Sequence, residues 1–180
     1  MFANNETGVI QPVREAADIA HDKGGLLFVD AAQAVGKVPV NFVMSGADLM
    51  AVTAHKFGGP VGVGALIAGP NLPLHPVMRG GGHEENRRAG THNVPAIAGL
   101  GAACDGAPET IAKGAAIAAM RDRMQSAAED AGAVIWGKDA ARLPGTLSLS
   151  AASFNSPTQL MAMDLAGIAV SSGSACSSGK

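Results

Sequence analysis

Lys56 follows a short apolar run, Leu49 to Val52, that reads as a buried strand. The run breaks at Thr53-Ala54-His55-Lys56 into the glycine-rich stretch Gly58-Gly59-Pro60-Val61-Gly62. A second apolar run, Leu26 to Val29, ends in Asp30-Ala31-Ala32-Gln33. An acid and a lysine thus both stand just past the C-terminal ends of strands expected in one sheet, where open α/β sheets bind ligands. A lysine amine can form a Schiff base with a carbonyl group, and a carboxylate can hold a pyridinium nitrogen protonated. The pair suggests a pyridoxal phosphate (PLP) site.

The elements that must position this pair read as an alternation of strands and helices. Met1 to Ile10 is expected as the tail of a strand plus a loop, with Pro12 as a first helical residue. Helical spacing runs from Val13 to Lys23, and Gly24-Gly25 ends it. Strands are expected at Leu26–Val29, Leu49–Val52 and Gly64–Ala68, giving an α/β fold with a mostly parallel sheet and flanking helices. Gly69 to Asn93 reads largely as a functional loop. Pro95 to Ala107 and Glu109 to Ala131 read as helices separated by Pro108. Beyond them, Ala133–Trp136 and Thr146–Leu149 read as strands, Pro157 to Ala166 as a helix closed by Gly167, and Ile168–Val170 as a last strand. The expected organisation is a large domain over 1–107, then a linking helix and part of a small α+β domain over 108–180.

The 180 residues are 47% hydrophobic, enough for one domain with a sizeable core. A net charge of −2 gives no electrostatic case for nucleic-acid or anionic-membrane binding. Apolar stretches are short and broken, so no membrane span is expected, and the first residues do not read as a signal peptide. Aromatics are only 3%, with no Tyr, so base-stacking platforms are not expected and small residues dominate packing. The two cysteines, Cys104 and Cys176, show no CxxC spacing, which fits reduced thiols in a cytoplasmic protein. The cluster His83-Glu84-Glu85 lacks metal-ligand spacing, so no metal is expected.

Five segments in order carry a resemblance. They are Asn4-Asn5-Glu6-Thr7-Gly8, Asp30-Ala31-Ala32-Gln33, His55-Lys56, Gly80-Gly81-Gly82-His83-Glu84 and Ser171-Ser172-Gly173-Ser174-Ala175-Cys176. Together they resemble the ordered motifs of cysteine desulfurases, the sulfur-mobilising branch of class V aminotransferases with PLP fold type I. The likeness runs from Asn4 to Gly179.

The resemblance implies a role for each position. Lys56 would carry the cofactor and move the Cα proton. Asp30 would pair with the pyridine nitrogen; a helix N-cap after a strand is also a common role for an aspartate, and the residue could serve both. Gln33 would donate to the phenolate oxygen. Thr53, where relatives usually have serine, and His55 would bind the cofactor phosphate. Asn5 would lie near the cofactor hydroxyl and substrate carboxylate, though Asn4-Asn5 is also good turn chemistry. Thr91 would reach the cofactor phosphate of a partner subunit in a homodimer. Cys176, on a Ser/Gly loop, would be the thiolate that takes sulfur from L-cysteine as a persulfide and hands it to an acceptor such as an iron–sulfur scaffold. Cys104, in an alanine-rich helix, is expected in the core. Selenocysteine lyase, another class V aminotransferase, and a non-catalytic sulfur-relay module are the rival readings. The resemblance also implies further sequence on both sides of this chain, so the 180 residues alone are expected to be inactive.

Overall fold

The computed structural model describes residues 1–152 and 154–174. Strand β1, Phe28–Asp30, pairs in parallel with β2, Leu49–Thr53, in the register Phe28↔Leu49 and Asp30↔Ala51. Strand β3, Gly64–Ala68, pairs antiparallel with β2, with Thr53 opposite Gly64 and Leu49 opposite Ala68. The α/β class expected from the alternation holds. The direction of β3 is a refinement, since a parallel return needs a crossover of about a dozen residues or more, usually helical. Between Thr53 and Gly64 lie only a single 3-10 turn, Ala54–Lys56, and the glycine-rich loop.

Helix α1, Val13–Asp22, buries Val13 and Ala17, and Pro12 stands just outside it as its N-cap rather than inside it. Val13 joins Val29, Ala31, Ala47 and Met50 in the main core cluster. Met50 is 1% exposed, so truncating it to Ala would cost about 2–5 kcal/mol. A short helix α2, Phe42–Ser45, was not expected. Its signals are Asn41, whose side chain accepts from the Met44 N–H, and Gly46 in the left-handed C-cap.

Helix α3, Val94–Ala112, starts at the Asn93 cap and runs through Pro108, correcting the break expected there. A proline inside a helix removes one backbone donor, and here the chain loses that bond and continues. The interruption falls at Lys113, before α4, Gly114–Asp130. Strands β4, Val134–Ile135, and β5, Leu149–Ser150, form a separate antiparallel pair, and α5, Ser156–Leu165, follows. Residues 168–170, expected as a strand, are not one, because no neighbouring strand pairs with them among the described residues. A second core cluster of Ala3, Ala34 and Leu143 ties the N-terminal segment, the turns after β1 and the segment before β5 together.

Candidate functional site

Parallel pairing of β1 and β2 sends both C-terminal ends to the same sheet edge. Asp30 is the last residue of β1 and Lys56 ends the 3-10 turn that directly follows β2. The Ala31 N–H donates to the Ala51 carbonyl at 2.9 Å, so the pairing continues one residue past Asp30. The N-terminal segment reaches the same edge, because the Phe2 N–H donates to the Asp30 carbonyl at 2.6 Å.

Asp30 is exposed, and its Oδ1 accepts the Ala32 N–H at 2.9 Å. It caps a run of turns over 32–37 and not the helix that the sequence suggested. Gly36, at φ +76°, lies within this run, in a conformation that stops a right-handed helix. Close approach fixes Gly36 as well: a Cβ there would lie 2.4 Å from Cβ of Phe57, the residue after Lys56. Helix α3 seats the lysine turn from the other side. A Cβ on Gly59 would come within 2.7 Å of the Ala54 Cβ and 3.2 Å of the Ala103 Cβ, and a Cβ on Gly99 would lie 2.5 Å from Pro60 Cγ. Gly99 and Ala103 are four residues apart and share one helix face, so small residues there let the helix back directly onto the loop. Cys104, about 100° further round the helix, is exposed, which corrects the core position expected for it.

Thr53 Oγ1 and His55 Nδ1 lie 3.0 Å apart, so the structure joins the hydroxyl and the imidazole expected to act together. Gln33 Oε1 accepts from Lys37 Nζ at 2.8 Å. Burial and the positive charge of Lys56 both hold the Lys37 ammonium below its usual range, burial being the larger cause. Lys37 was missed by the sequence reading. Its position four residues after Gln33 was the available signal, although side chains at that spacing meet only where the backbone turns.

Asn5 lies at the other end of the constellation. Asn4 takes the turn role, its Oδ1 accepting the N–H groups of Glu6 and Thr7 at 2.9 and 2.8 Å. Asn5 is left to donate through Nδ2 to Ser174 Oγ at 2.7 Å. Cys176 lies outside the described residues. Thr91 is exposed in the long loop, and among the described residues no hydrogen bond joins it to Lys56, Thr53 or His55. No group of His, Cys, Asp and Glu among the described residues is placed to hold a metal, and no helix there is long and apolar enough to cross a membrane.

A lysine and a carboxylate at or just past the ends of a parallel strand pair, backed by a small-residue helix, belong to a domain of the α/β class. The chain belongs to the aminotransferase class-V family, whose model it matches over residues 1–179. It is 43% identical over 182 residues to a cysteine desulfurase of Gluconacetobacter diazotrophicus, covering 99% of this chain and 46% of that one. The chain thus spans about half the length of the curated relatives it matches. Among solved structures it is similar to a NifS-like protein from Rickettsia africae, with TM-score 0.89 and 33% identity over 96% of this chain and 49% of that one. It is also similar to SspA in complex with cysteine, with TM-score 0.55 and 35% identity over 58% of this chain and 30% of that one.

Proposed function

We propose that this chain carries the lysine, the cofactor-binding edge and the sulfur-accepting cysteine of a PLP-dependent cysteine desulfurase. The observation that carries the reading is the parallel register of β1 and β2, which brings Asp30 and Lys56 to one edge. The relatives named cysteine desulfurase and the SspA structure holding cysteine support L-cysteine as the substrate.

The side chains at that edge fit PLP by their chemistry. Lys56 offers an amine to the aldehyde, Asp30 a carboxylate to the ring nitrogen, and Gln33 an amide donor, since its Oε1 is engaged by Lys37. The Thr53–His55 pair offers donors to the phosphate. Bound there, the group supplies an electron sink for the carbanion chemistry at the substrate Cα. Asp30 keeps the ring nitrogen charged, and Lys56 receives and returns the Cα proton. Cys176 accepts sulfur: the C–S bond of L-cysteine breaks, an S–S bond to Cys176 forms, and the products are L-alanine and a protein persulfide. The hydrogens balance, so no external oxidant is needed.

The same proposal includes the division at 107/108, a homodimer, a sulfur-acceptor protein such as an iron–sulfur scaffold, and a cytoplasmic site of action. Separate sheets before and after α3 support the division. The exposure of Thr91 supports a role toward a second subunit.

The test uses labelled L-cysteine and the protein carrying this chain. Cys176→Ser should keep substrate binding and lose protein-bound sulfur. Lys56→Ala should lose the visible absorbance of the bound cofactor together with turnover. Labelled sulfur persisting on the Cys176→Ser protein would refute the assignment.

A further inference from the structure

A cleft of about 290 Å³ lies between the turn that ends at Pro39, helices α3 and α4, and the segment 142–144. Its charged lining is wholly cationic: Lys37, Arg121 and Arg142. The rest is small or apolar, including Val38, Ile111 and Pro144.

The three cations are not equally engaged. Arg121 gives Nε and Nη2 to Asp122 Oδ1 at 2.9 and 2.6 Å, and Nη1 to the Leu143 carbonyl at 3.1 Å. Arg142 gives Nη2 to Gln125 Oε1 at 2.6 Å, but its Nη1 is buried and meets no acceptor among the described residues. Lys37 holds Gln33 Oε1 through one of its three donors. Asp122 pairs with Arg121 and also acts on Arg142, as do Glu129 and Asp139. Neither Glu129 nor Asp139 lines the cleft. A buried guanidinium N–H without a partner is costly. Guanidinium groups bind carboxylate and phosphate oxyanions well, so a cleft lined by two arginines and a lysine suits such an anion. Burial, with Arg121 beside it, also pushes the Arg142 guanidinium below its usual range.

We propose that the cleft between Lys37, Arg121 and Arg142 is a binding site for a small anion bearing a phosphate or carboxylate group. The volume admits one such ligand and no large one.

The test is a titration of the purified full chain with inorganic phosphate, and separately with acetate, at constant ionic strength, followed by calorimetry. Saturable binding is expected, weakened at least tenfold by Arg142→Gln and severalfold by Lys37→Gln. It should persist in a Thr53→Ala, His55→Ala double variant, which separates this cleft from the sheet edge. If Arg142→Gln fails to fold by circular dichroism, Lys37→Gln decides alone. Binding that survives both cleft substitutions, or that disappears only in the Thr53, His55 variant, overturns the proposal, as does an absence of saturable binding by either anion.

Discussion

The side-chain amide of Asn5 donates to the hydroxyl of Ser174 at 2.7 Å, joining residues 169 apart in the chain. Phe2, three residues before Asn5, hydrogen-bonds the carbonyl of Asp30. The N-terminal loop therefore links the Asp30 edge to the segment two residues short of Cys176.

Asn5→Ala should loosen this link without unfolding the chain, because Asn5 is exposed and Asn4 holds the turn. A hydrogen bond of this kind contributes about 1 kcal/mol, roughly a fivefold effect on a step that depends on it. Faster protease cleavage near Ser174 and a slower persulfide-forming step are expected. Equal cleavage and equal rates would show the bond to be incidental.

Asp30→Asn preserves the oxygen that accepts the Ala32 N–H, so stability should change by less than about 1 kcal/mol. An amide cannot keep a pyridinium nitrogen charged, so L-cysteine turnover should fall by about a hundredfold or more. Denaturant titration beside an alanine-production assay separates the two effects. Near-native turnover would reduce Asp30 to a cap.

Gly36→Ala faces two obstacles, a left-handed backbone at φ +76° and a Cβ placed 2.4 Å from the Phe57 Cβ. The expected loss is about 3 kcal/mol, combining overpacking with the left-handed strain. A urea midpoint that does not move would mean that the Lys56 turn yields without cost.

Asp48 sets the acid limb of stability. Its Oδ2 accepts from His21 Nε2 at 2.9 Å and from the Leu27 N–H at 2.7 Å. These bonds, that of His21 first, hold its carboxyl below the usual carboxylate range. The folded value lies below the unfolded one, so the unfolded chain binds more protons in the window between them. The stabilisation is complete above the ordinary carboxylate pKa of about 3.9 and is lost as pH falls through the depressed value. Asp48→Asn should cost about 1 kcal/mol at pH 7 and flatten the stability profile below about pH 4. An unchanged acid limb would remove Asp48 from this role.

The sequence by itself determined what is written locally. Apolar runs bounded by glycine and polar residues marked Leu49–Val52 and Gly64–Ala68, although only the first is substantially covered in the fold. Lys56, Asp30 and the glycine-rich stretch stood out because reactive side chains collect just past strand ends. The ordered motifs supplied the family. The tertiary structure decided everything that depends on a distant partner. Strand direction is a property of a pair, so β3 could turn back beside β2 without any mark in its own residues. Pro108 carries the same local signal inside a helix as at a boundary, and the elements packed around α3 settle which it is. Cys104 and Ala103 are neighbours in an alanine-rich stretch, and only the helix's rotation against Gly59 separates the exposed residue from the packed one. The partners of Gln33, Asn5 and Arg142 were likewise unreadable, since a polar side chain in a sequence does not say which donor or acceptor the fold will bring to it.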